Sequence, residues 1–262
     1  MANGRKGCII CNMDIVKVAV AVVGAAGVLL TFAQAATVDR SLLAVGDRSS
    51  IVSQSKIPNP KSAMSWRALF DGKSLDQWRG YKNDAVPAGW KIADGTLTKD
   101  GRVADIVSRD SFGDFELELE WKIGEAGNSG IFYRGTEEYD HIYWSAPEYQ
   151  LLDDVKGADN KTRLTCAGAA YALYPSPAGH LKPIGNWNST RIVARGAHVE
   201  HWLNGVKLLE YELWSPDWDA KVKASKFKEW PNYGRAKRGH LAFQGDHEGS
   251  LAFRNIRIRE EQ

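Results

Sequence analysis

From Phe115 to Ile123 the chain alternates apolar and charged residues without a break: Phe115-Glu116-Leu117-Glu118-Leu119-Glu120-Trp121-Lys122-Ile123. Successive side chains of an extended backbone point to opposite faces, so a period of two demands a β-strand with one buried and one wet face. Such a strand belongs in an antiparallel sheet lying on an apolar layer. The rest of the chain offers partners for it. Trp66–Phe70, Val103–Val107, Tyr171–Tyr174, Thr190–Ala194, His198–Leu203, Val206–Leu213, His240–Gln244 and Leu251–Arg259 all read as strands. Asp94-Gly95 and Asn204-Gly205 are hairpin turns, the first joining Trp90–Ile92 to Thr96–Thr98. About a dozen short strands with turns every 8–12 residues or so predict an all-β sandwich or barrel. Ser215-Pro216 has the form of a helix N-cap and first turn, so one or two short helices are expected within 217–228.

The first 64 residues read differently. Arg5, Lys6 and Lys17 precede or open an apolar run, Val18–Phe32, which ends at Ala33-Gln34-Ala35. That is the plan of a secretory signal over 1–35, with Met13 as an alternative start. The run is short for a membrane span, and only an uncleaved leader would tether the protein to a membrane. Residues 36–64 are read as a linker and 65–262 as the folded domain. The protein is therefore expected to be exported, to a periplasm or beyond the cell. Cleavage would remove Arg5, Lys6, Lys17 and Asp14, which cancels the formal surplus of +2. A neutral mature chain gives no reason to expect nucleic acid as a partner. Cys8 and Cys11 fall in the leader, so Cys166 has no internal disulfide partner and is read as inert.

No phosphate-binding loop, dinucleotide fingerprint, zinc-protease helix or serine-nucleophile elbow is present, and the cysteines and histidines form no zinc pattern. No cofactor is expected, although assistance by a metal is left open. What remains is carboxylates, His, Arg and amides on strands. Gly127–Arg134 and Glu148–Asp153 each read as a strand, and alternation puts Asn128 and Arg134 on one face of the first, Glu148 and Gln150 on one face of the second. Arg134, Glu148 and Gln150 are therefore expected to line one polar surface, able to grip a polyhydroxylated ligand or simply to face solvent. Glu148 and Asp153 lie five apart and face opposite ways unless a bulge intervenes, which argues against a two-carboxylate glycosidase. His201 shares its face with Val199 and Leu203, the pattern of a core histidine as much as of a site. His247 sits in a loop, where function concentrates. Trp202 could stack on a sugar or pack.

The runs Leu69-Phe70-Asp71-Gly72-Lys73-Ser74-Leu75-Asp76-Gln77-Trp78, Gly113-Asp114-Phe115-Glu116-Leu117, Gly127–Arg134, Pro147–Asp153, Asn186-Trp187-Asn188, His198–Gly205 and Phe253-Arg254-Asn255-Ile256 follow one another in an order that resembles the 3-keto-disaccharide hydrolase domain family. Two departures stand out: Ser189 follows Asn188 where the family has Glu, and the family's closing Leu-Gln-Asp-His-Gly becomes the longer Phe243-Gln244-Gly245-Asp246-His247-Glu248-Gly249. The resemblance implies a concanavalin A-like jelly-roll β-sandwich acting on 3-keto-glycosides, with a small carbohydrate as substrate. A C3 ketone acidifies the C2 proton, so one base, one enolate donor and one acid would suffice. Glu148, Asp153, His201 and His247 are the candidates for proton transfer. Asn128, Arg134, Gln150, Tyr171 and Trp202 are the candidate substrate contacts, and no metal ligand is assigned. The competing expectation is a lectin-like carbohydrate-binding module without chemistry.

Overall fold

The computed structural model describes residues 65–260; the expected leader and linker lie outside the described residues. Strand β6 (Phe115–Ile123) does what its alternation requires: Phe115, Leu117, Leu119, Trp121 and Ile123 are buried. The intervening Glu116, Glu118 and Glu120 stand opposite Arg259, Arg257 and Arg254 of β13 (Leu251–Glu260). These cross-strand ion pairs contribute little where they are exposed, but they match each glutamate of this face with an arginine.

Two antiparallel sheets sandwich the core. The larger runs β11 (Val206–Glu212), β10 (His198–Leu203), β9 (Asn188–Arg195), β6, β13, β4 (Thr96–Lys99), β3 (Lys91–Ala93), with β1 (Arg67–Ala68) also paired to β13. The smaller runs β2 (Trp78–Gly80), β5 (Ile106–Phe112), β12 (Gly239–Phe243), β7 (Asn128–Gly135), β8 (Glu148–Leu152). Phe243 stacks on Trp78 at 4.6 Å and on Phe253 at 4.1 Å, joining the two layers. Burying one such side chain is worth roughly 1.5–3 kcal/mol. The architecture is the jelly-roll sandwich expected.

Both hairpin turns form, with Asp94, Gly95, Asn204 and Gly205 at positive φ as a type I′ turn needs. The Ser215 hydroxyl accepts from the Trp218 amide and caps α1 (Pro216–Ala224). The largest departures from the expected strands are these: Trp66–Phe70 contributes only Arg67–Ala68, Val103–Val107 becomes Ile106–Phe112, and Trp78–Gly80 forms a strand not anticipated. Tyr171–Tyr174 is a tight turn, closed by bridges from Ala170 to Tyr149 and Tyr174 and by Ala172 at φ 62°.

Candidate active site

The outer face of the five-stranded sheet carries a cavity of about 200 Å³. Strands β7 and β8 pair with Gly130 opposite Gln150 and Phe132 opposite Glu148, so Glu148 and Gln150 point away from the core side occupied by Tyr149 and Leu151. Glu148 lies over Gly130: a Cβ there would sit 2.2 Å from Glu148 Oε1. The glycine makes room for the carboxyl against the sheet. Asn128, Tyr143, Asp159, Tyr171, Lys226, Gln244, Asp246 and His247 complete the lining.

A polar chain orders one wall. Asp159 Oδ2 accepts from Asn128 Nδ2 at 3.1 Å and from the Tyr171 hydroxyl at 3.4 Å, and Asn128 Oδ1 accepts from Gln150 Nε2 at 3.2 Å. The Lys226 ammonium rests 4.3 Å from the Tyr171 ring centroid. The opposite wall is the loop between β12 and β13. The Asp105 carboxylate accepts from the Gly245 amide at 2.7 Å. The buried Lys99 ammonium donates to the carbonyls of His247, Gly101 and Gly249 at 2.6, 3.0 and 3.3 Å. His247 is thus held by its backbone while its ring stays half-buried, 3.7 Å from Asp246 Oδ1.

The cavity drives two titrating groups apart. Glu148 is only 6% exposed. Burial pushes its pKa up to about 8; Lys226 pulls it down, while Asp246, Asp105 and Asp159 add to the rise. Burial lowers that of His247 below 6.5, over the opposing pull of Asp246 and Asp159. Near neutrality these shifts favour a protonated Glu148 and an uncharged His247 in one cavity, the arrangement that separates acid from base. Asp105 is pushed up by burial to about 7.

Asn128, Glu148, Gln150, Tyr171 and His247 therefore meet, and four expected residues do not join them. Arg134 lies in a bulge where the β7–β12 register slips, at φ 53°, and alternation fails there. Its guanidinium is buried and donates to the carbonyls of Gly113 and Gly196 and to Asp114. Asp153 accepts from the amides of Ala126, Val155 and Lys156, a turn cap. His201 is a core residue. Its Nδ1 donates to the Gly168 carbonyl at 3.0 Å, so Nε2 accepts from the Tyr133 hydroxyl at 2.9 Å, and burial drops its pKa to about 4. Trp202 points out of the other sheet, donating to Glu200 and lining a separate hollow of about 700 Å³ with Glu118, Arg191 and Arg257. That hollow is the larger, but cross-strand ion pairs satisfy its charges, as with Arg257 and Glu118.

Sequence reading missed Asp159, Lys226, Gln244 and Asp246. Gln244 and Asp246 lie beside His247 and were within reach of a loop-centred argument. Asp159 and Lys226 come from an irregular loop and a short 3₁₀ turn, with no periodicity to mark them. As for metal, among the described residues the cluster with ligand spacing is His198, Glu200 and Glu210, away from this cavity, where Lys207 already pairs with both glutamates.

A family model described as the 3-keto-alpha-glucoside-1,2-lyase-like domain matches residues 65–259. The chain belongs to this family. A 3-keto-disaccharide hydrolase of Bacteroides thetaiotaomicron is 36% identical over 235 residues, covering 76% of this chain and 80% of that protein. A crystal structure of a glycosyl hydrolase candidate from Parabacteroides distasonis superposes with a TM-score of 0.71 at 32% identity, over 75% of this chain and 94% of that one. A second from the same organism gives 0.59 at 27%, over 75% and 100%. The family member described here is a glycosidase-type hydrolase.

Proposed function

We propose that the protein is exported and cleaves 3-keto-glycosides, 3-keto-disaccharides among them, by C2 proton abstraction, elimination and hydration. The observation that carries this is that buried Glu148 and half-buried His247 line one small cavity, where burial raises the pKa of the first and lowers that of the second. The imidazole takes the C2 proton, which the neighbouring ketone has made acidic. The freed electron pair forms the C1–C2 double bond as the C1–O bond breaks, and Glu148 gives its proton to the departing oxygen. Water then adds across the double bond, hydroxyl to C1 and proton to C2, releasing the free 3-keto sugar. Lys226, which lines the cavity, stabilises the enolate oxygen. An elimination followed by hydration also reconciles a lyase-like family description with a relative named as a hydrolase.

The cavity holds about 200 Å³, a size that agrees with a small substrate. Export rests on the leader, whose charged start, apolar run and small-residue end have the secretory pattern.

The test is the pH dependence of kcat/KM on a 3-keto-disaccharide beside its unoxidised parent, with and without chelator. The expected profile rises through a pKa below 6.5 and falls near pH 8, with the falling limb absent in Glu148→Gln. Undiminished turnover by Glu148→Gln removes Glu148 from the chemistry. Equal turnover of the unoxidised sugar would favour a direct glycosidase, for which Asp246 or Asp159 would supply the second carboxylate.

A further inference from the structure

Two amide oxygens beside the cavity lack partners. Oε1 of Gln150 and Oε1 of Gln244 are both buried with no hydrogen bond, and the two residues are 1% and 6% exposed. Buried acceptors are rarely left unmatched, so each orphan calls for an explanation. Their placement is not accidental. Gly130 pairs with Gln150 on one side, and its carbonyl accepts from the Gln244 amide on the other. The three residues form a row across β8, β7 and the end of β12, and the middle one has no side chain. The backbone of Gln244 is held again by the Ser129 hydroxyl, which donates to its carbonyl at 2.9 Å.

The polar chain of the facing wall sets the direction of the Gln150 amide. Asp159 accepts, so Asn128 turns Nδ2 toward it and Oδ1 toward Gln150. Gln150 must answer Oδ1 with Nε2, which leaves Oε1 as its free atom. Reversing the amide would place two acceptors together. A third acceptor, Asp246 Oδ1, is likewise buried and without a hydrogen bond.

We infer that Gln150 and Gln244 are specificity-determining residues that require free hydroxyl donors on the bound sugar ring. This rests on the reading of the cavity as the sugar site. A ring hydroxyl donates to each amide oxygen, while the ketone oxygen, an acceptor, is turned away from this row and toward Lys226. The substrate class is then a 3-keto-glycoside whose remaining ring hydroxyls are unsubstituted. A deoxy or O-methyl ring leaves a buried acceptor unmatched.

The experiment measures kcat/KM and calorimetric binding of a 3-keto-glucoside and its 2-, 4- and 6-deoxy analogues, with the full chain and with Gln244→Met and Gln150→Met. The unmodified protein should prefer the hydroxylated ligand over at least one deoxy analogue by about 10- to 100-fold, the cost of stranding a buried polar group. In the matching Met variant that ratio should shrink to about threefold or less, because nothing polar is left unpaired. The inference is overturned if the unmodified protein takes all the deoxy analogues within about threefold of the parent. It is equally overturned if both variants keep the full ratio, or if the unmodified protein binds none of these sugars. Discriminating binding without product would instead sink the hydrolase reading and leave the amide pair standing. The analogue series in the unmodified protein needs no variant to fold, and either Met variant serves if the other does not.

Discussion

Replacing Glu148 by Gln should make the protein more stable, and increasingly so as pH rises. Glu148 has an ordinary pKa of 4.5 in the unfolded chain and about 8 in the fold. Between those values the unfolded chain has lost the proton and the fold still holds it. Stability is therefore greatest below pH 4.5, falls as pH rises toward 8, and levels off above. Each pKa unit corresponds to about 1.4 kcal/mol, so the gap is linked to at most about 5 kcal/mol, of which about 3 kcal/mol has accrued by pH 7. Lys226 opposes the rise while Asp246, Asp105 and Asp159 share the cavity and add to it. The amide introduced by Glu148→Gln cannot titrate, and the neighbouring Asp105 titrates in both proteins and largely cancels. Urea unfolding of both proteins, followed by tryptophan fluorescence at half-unit steps from pH 5 to 9, gives the difference directly. The variant's advantage should grow by more than about 1.5 kcal/mol across that range. A difference that stays constant to within about 0.5 kcal/mol refutes the burial argument, and with it the assignment of Glu148 as a neutral acid.

Lys99→Met leaves the carbonyls of Gly101, His247 and Gly249 without their donor and should cost about 2 kcal/mol or more, with faster amide exchange confined to 245–250 as the check. Gly130→Ala drives a methyl into Glu148 Oε1; turnover should fall about 10²-fold while the far-ultraviolet circular dichroism is retained, and full activity would place the carboxyl elsewhere. Asp153→Ala should lose about 1–3 kcal/mol of stability with turnover per folded molecule unchanged. Burial opposes ionisation of Asp153, but its three amide donors prevail and hold its pKa below 3.8. Its contribution is present above that value and lost as pH falls beneath it, so the two proteins should converge in acid unfolding scans.

Much of the scaffold was legible because it depends on neighbours in the chain. Alternation along Phe115–Ile123 names the buried face directly, and Asp94-Gly95 and Asn204-Gly205 carry their turn geometry in their own backbone preferences. The pairing of Glu148 with Gln150 on one face follows from the same period of two. Arg134 shows where that logic ends: one residue of bulge takes it off the face that counting from Asn128 assigns to it. His201 carried a correct apolar signal, since it shares Val199's buried face and finds both its partners inside the core.

Local pattern along the chain was enough to establish an all-β protein, the strands that hold the two polar residues, and a loop histidine worth attention. It took the assembled fold to bring Asp159, Lys226, Gln244 and Asp246 around Glu148, since they come from separate segments with no shared period. The same assembly makes Glu148 an acid at neutral pH. A strand's faces are set by backbone geometry within a few residues, whereas the pKa of a carboxyl is set by solvent excluded and charges gathered from the whole fold.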